Sequence, residues 1–137
     1  MTDQAYQVQK AVHALLIGTG ALTDLVPAES IADFGGVPTV FPSIIVGEAQ
    51  IVDEGQQIDR SVMRVYLTLH LWTKEAALNA VKKIGGAVRT AMHGQRPPLG
   101  GGFQLGDLGI ESVRYVRDPS GENGHGVVTI NALVSET

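Results

Sequence analysis

The chain has 137 residues, a formal charge of −4, 44% hydrophobic and 18% charged residues, and no cysteine. Those values describe one folded domain spanning residues 1–137. They exclude a disordered tail, a disulfide framework, thiol catalysis and cysteine-ligated zinc, and the acidic balance lacks the overall footprint of a nucleic-acid binder.

In chain order, Thr2 to Ile17 is predicted as a helix. Ala5, Val8, Val12, Leu15 and Leu16 recur at helical spacing, Thr2 or Asp3 caps the start, and Gly18 and Gly20 end it. The short follow-on Leu22–Val26 stops at Pro27, and residues 27–42 are irregular except for a short strand at Ser30–Phe34. A strand is expected at Ser43–Gln50, then a polar loop at Val52–Asp59. The clearest strand is Ser61–Trp72. There Met63, Val65, Leu67, Leu69 and Leu71 alternate with Arg64, Tyr66, Thr68, His70 and Trp72, so one face is core and the other is solvent or interface.

Thr73 is expected to cap a second helix over Lys74–His93, with an apolar stripe of Ala77, Leu78, Val81, Ile84, Val88, Ala91 and Met92. Gly85-Gly86 in its middle marks a close-packing point or a slight kink. Gly94 and Pro97-Pro98 end it. After the loop Gly100-Gly101-Gly102 come strands at Gln104–Arg117 and His125–Ser135, joined by the turn Asp118–Gly124. The order α-β-β-α-β-β implies an α+β domain: an antiparallel or mixed four-stranded sheet with two helices packed on one side.

No catalytic, cofactor or metal site emerges from the motifs. His13, His70, His93 and His125 contain no pair at i, i+3 or i, i+4 spacing. The triple-glycine loop lacks the Lys-Ser/Thr of a phosphate loop, and Asp118–Gly124 lacks the twelfth-position glutamate of a calcium loop. No serine sits in a nucleophile elbow. Aromatic residues are only 5%, too few for a base-stacking sheet. The expectation is a protein that is not an enzyme and needs no cofactor.

Charge is unevenly spread along the chain. Residues 1–59 carry eight carboxylates against Lys10, and residues 60–137 carry nine Lys/Arg against six carboxylates. An unevenly solvated surface accounts for this. So does a subunit whose acidic face meets the basic face of a neighbour, a head-to-tail contact of the kind that closes into rings.

Several stretches together resemble the tail-completion, or tail-terminator, proteins of long-tailed phages and phage-derived gene transfer agents. They are Leu15-Leu16 with Ala21–Val26, the strand Pro42–Glu48, Leu69-His70-Leu71-Trp72-Thr73 ahead of an Ala-rich helix ending Val88–Gly94, and Tyr115–Asp118 with His125-Gly126. The match is one of packing and turn positions in order along nearly the whole chain. The resemblance implies a virion structural protein at the head–tail junction, made in the host bacterial cytoplasm. It implies a homo-oligomeric ring of six subunits that caps the tail tube, stops its polymerisation and docks the head-tail connector or stopper protein. DNA would be present only in transit through the channel, and no membrane is involved.

On that reading two loops are candidate contacts with tube, connector or channel. One is Val52–Arg60, with Asp53, Glu54, Asp59 and Arg60; the other is Pro97–Phe103, with Gly100, Gly101 and Gly102. Arg64, His70 and Trp72 are candidates for a subunit boundary, because they share the amphipathic face of one strand. The rival readings are a stopper or adaptor of the connector, a small ligand-binding α+β domain with one apolar pocket, and a hydrolase with scattered catalytic residues.

Overall fold

A computed structural model describes residues 3–33, 38–54 and 61–136. Helix α1 (Gln4–Ile17) begins at Asp3, whose carboxylate accepts the Tyr6 N–H at 3.1 Å, and ends at Gly18. It buries Gln7, Val8, Val12 and Leu16. A four-residue helix α2 (Gly20–Thr23) buries Leu22, and a 3₁₀ turn at Ala28–Ser30 leads into the two-residue strand β1 (Ile31–Ala32). The remaining elements are β2 (Ser43–Asp53), β3 (Val62–Thr73), α3 (Asn79–Met92), β4 (Phe103–Arg117) and β5 (Gly124–Glu136).

The sheet has five strands in the order β1-β2-β3-β5-β4, with β1 parallel to β2 and every other pair antiparallel. Among the described residues the architecture is therefore α+β with a mixed sheet and three helices, one strand and one helix more than the order α-β-β-α-β-β. Strand β1 falls within the short strand expected at Ser30–Phe34, and α2 overlaps the start of the follow-on expected at Leu22–Val26. Both additions are too short to show a period: β1 spans two residues and α2 spans four.

The second helix is also shorter than predicted. Thr73 does not cap it; it is the last residue of β3, opposite Gly124, with its hydroxyl donating to the Glu75 carbonyl at 3.3 Å. At fourteen residues α3 is about 21 Å long. Strand β2, by contrast, continues through Val52 and Asp53 into the predicted polar loop, because both residues pair with β3 opposite Arg64 and Met63.

One layer of side chains forms the core. Val65, Leu67, Leu69 and Leu71 from β3, and Val128, Ile130, Ala132 and Val134 from β5, are all at or below 1% exposure. Each large aliphatic side chain so buried contributes about 1.5–3 kcal/mol. Val81, Ile84, Val88, Ala91 and Met92 of α3 and the apolar stripe of α1 close over them. This layer covers only the first part of β2. Ser43 to Val46 are buried, whereas everything from Glu48 onward is exposed, beyond a bulge between Val46 and Ala49. The far half of β2 thus runs exposed along the edge of β3, whose Val65 and Leu67 stay in the core.

The two central glycines of α3 divide in role. A Cβ on Gly85 would collide with the Tyr115 hydroxyl of β4, so this glycine lets helix and sheet approach. Gly86 is exposed, and a Cβ there would meet nothing within 4 Å.

Candidate functional site

The sheet face opposite the helices is open. Alternation along β3 puts Arg64, Tyr66, Thr68, His70 and Trp72 there, and register places His125, Val127, Thr129 and Asn131 of β5 beside them. Two polar arrays cross this face.

The first runs through four side chains. Arg64 donates through Nη2 to Glu54 Oε1 at 3.1 Å and through Nη1 to Asn131 Oδ1 at 2.6 Å, and Asn131 donates through Nδ2 to Glu111 Oε1 at 3.3 Å. The array ties the end of β2 to β3, β5 and β4. Its hydrogen bond to Glu54 is the main cause that holds the Arg64 guanidinium above its ordinary value.

The second array joins Glu48, His70, His125 and Trp72. The Glu48 carboxylate lies 3.2 Å from His70 Nε2, and His70 Nδ1 lies 3.0 Å from His125 Nε2. A carboxylate only accepts, so His70 carries its proton on Nε2 and, when neutral, accepts from His125 through Nδ1. Gly47 makes room for this: a Cβ there would sit 3.1 Å from the His70 ring. The His125 ring stacks on Trp72 at 4.0 Å between centroids and 7° between planes. Burial first, and the neighbouring His70 second, hold His125 below its ordinary value. Trp72 is buried at 8% exposure, and its indole N–H has no acceptor among the described residues.

Of the residues singled out in the sequence, Arg64, His70 and Trp72 share this face, and Glu54 reaches it through Arg64. Asp53 closes β2 at its exposed end. Asp59 and Arg60 lie outside the described residues. The glycine loop is elsewhere: Gly100 N–H donates to Gln7 Oε1 of α1 at 3.1 Å, on the helix side, with Gly101 and Gly102 at positive φ. The structure does not bring that loop to the open face.

Glu48, Glu111, His125 and Asn131 belong to the arrays but are not among the sequence candidates. His125 opening a strand was visible, but its place opposite Trp72 depends on a register that alternation alone does not give. Among the described residues, no group of three His, Asp or Glu side chains is arranged to hold a metal. A hollow of about 430 Å³ on the open face is lined by Glu48, Gln50, Tyr66, Thr68, Glu111 and Thr129. Ala49 also lines it, and a wall so evenly mixed between polar and apolar groups lacks the predominantly apolar lining of a small-ligand pocket.

No curated protein matches the sequence. Among solved structures, the fold is similar to a chain described as "Virion of native gene transfer agent (GTA) particle". The TM-score is 0.82 at 17% identity, over 98% of this chain and 99% of that one. A match at that identity establishes the fold. The family follows from the sequence itself: the model for tail completion protein gp17 matches residues 10–135, nearly the full length of α1 through β5, and the chain belongs to that family of phage tail-completion proteins.

Proposed function

We propose that the protein is a tail terminator and a component of the virion. It closes the head-proximal end of the tail tube as a ring of six subunits, stops tube polymerisation and joins the tail to the head connector, leaving a channel for DNA. The observation that carries this reading is the tail-completion family match across residues 10–135. The fold shared with a chain from a gene transfer agent particle supports a place within the virion.

The mechanism is competitive capping. The ring binds the last tube layer as another tube ring would, and its opposite face lacks the surface that seeds a further layer. The exposed far half of β2, leading into the candidate segment 52–60, and the segment 97–103 are the elements that reach tube, connector or channel. A net charge of −4 suits a passage through which DNA slides without adhering. The role is structural and not enzymatic.

Electron microscopy of particles from a strain lacking the gene tests this. Overlong tubes, or tails separated from filled heads, are the expected result. Tails of normal length that fail to attach would assign the protein to the connector instead, as a stopper or adaptor. Intact particles would overturn the structural role.

A further inference from the structure

The open sheet face and the outer surface of α3 carry opposite charge. On the open sheet face, Glu48, Glu54, Asp107 and Glu111 face two guanidinium groups, Arg64 and Arg114, and Arg64 is already engaged by Glu54. On the helix side, exposed Lys74, Lys82, Lys83, Arg89 and Arg96 in and around α3 are opposed only by Glu75 among residues 74–96. The open sheet face, with four carboxylates against two guanidinium groups, and the α3 segment, with five cations against Glu75, thus carry opposite net charge.

A second, independent feature marks the outer surface of α3. Gly86 sits at mid-helix between Lys82, Lys83 and Arg89, and a Cβ built there would meet nothing within 4 Å among the described residues, although the Thr90 hydroxyl donates to its carbonyl at 3.1 Å. Glycine there weakens the helix relative to alanine. Gly85 has an internal reason, the Tyr115 ring; for Gly86 no such contact exists among the described residues. A glycine on the outside of a helix leaves a flat strip on which another backbone can lie closely.

The geometry points to a head-to-tail contact in which the outer surface of α3, centred on Gly86, docks on the open sheet face of a second copy of this chain. Its cations meet Glu48 and Glu111 at the rim of the hollow. This rests on the ring reading above and specifies its subunit boundary. The two surfaces lie on opposite sides of the subunit, so the contact is heterologous, the class that forms a ring when its rotation closes. Sheet-to-sheet pairing sets carboxylates against carboxylates and helix-to-helix pairing sets cations against cations. Electrostatics therefore disfavours the two-fold alternatives.

The test uses the full chain, which has no cysteine of its own. Thr90→Cys on α3 and Thr68→Cys on the sheet are combined and treated, in purified particles, with a short bismaleimide cross-linker. A ladder of cross-linked species up to a closed ring is expected from the double variant and only monomers from each single one. Gly86→Gln gives the second reading. It should raise the melting temperature of the isolated chain, as removal of a helical glycine does, and yet abolish the ladder and the intact particles. Lys82→Glu with Lys83→Glu should also abolish them, and adding Glu48→Lys with Glu111→Lys should restore them.

Wild-type particle yield from Gly86→Gln would overturn the docking. So would a ring whose subunits cross-link through Asp53→Cys and Arg117→Cys at the two sheet edges but not through positions 68 and 90. Both results leave the ring intact. A wild-type protein present as single copies in particles would overturn the ring reading and this contact together.

Discussion

His70 and His125 meet edge to edge across β3 and β5, with Nδ1 of one 3.0 Å from Nε2 of the other, so a single proton occupies the line between them. The Glu48 carboxylate accepts from Nε2 on the far side of His70, and Trp72 covers the His125 ring. A second proton on the pair would place two N–H groups against each other.

This arrangement sets a pH dependence. His125 is held below its ordinary value by burial and by His70, and Arg114 acts in the same direction while Asp118 opposes it. A depressed histidine contributes stability that is fully present above about pH 6.5 and is lost as pH falls through its folded-state value. The melting temperature of the wild-type protein should therefore drop from about pH 6.5 toward pH 5. His125→Gln should flatten that slope. The Asp118 carboxyl, held low chiefly by the Ser120 hydroxyl, titrates below this window and does not obscure it.

Trp72 separates shape from polarity. Its indole N–H is buried without an acceptor among the described residues, a situation that costs about 1–3 kcal/mol. Trp72→Phe removes the orphan donor and keeps a ring against His125, so its net effect on denaturant-measured stability should stay within about 1 kcal/mol of zero. Trp72→Ala loses the stack and opens a void, for a cost of about 3–5 kcal/mol. Equal losses from both variants would show that the N–H is satisfied.

Gly85 tests the seat of α3 on the sheet. Alanine would favour the helix by about 1 kcal/mol if space allowed. The Tyr115 hydroxyl occupies that space, so Gly85→Ala should destabilise by about 1–3 kcal/mol instead. Adding Tyr115→Phe removes the nearest atom and should recover part of the loss. Chemical denaturation of the four proteins of this double-mutant cycle measures the coupling.

Arg64 joins two partners at once. Arg64→Ala leaves Asn131 and Glu54 without their shared donor, but all three groups are partly open to water. The expected cost to monomer stability is about 1 kcal/mol or less. Arg64→Lys should not restore it, because an ammonium cannot present two divergent N–H groups in a fixed plane. A thermal unfolding series across the three proteins checks both statements.

Much of the fold is legible from local pattern. The alternation of Ser61–Trp72 identified β3 and separated Val65, Leu67, Leu69 and Leu71 from Arg64, His70 and Trp72, because adjacent strand residues point to opposite faces. The 3.6-residue spacing found both long helices, and the order of motifs led to the tail-completion family, to which the family match assigns residues 10–135. Thr73 misled, because a threonine before an Ala-rich run resembles a cap. Its burial at 2% and its pairing with Gly124 keep it in the strand.

What the sequence by itself determined is which residues form the core and which surface of each long element faces outward, since those follow from periods shorter than one turn or one pleat. Only the tertiary structure decided which outward residues become neighbours. Trp72 meets His125, Arg64 meets Asn131, and Gly85 meets Tyr115 across 53, 67 and 30 positions of sequence, by strand register and helix–sheet packing. Register depends on how turns and buried faces are satisfied together, and no local period encodes it.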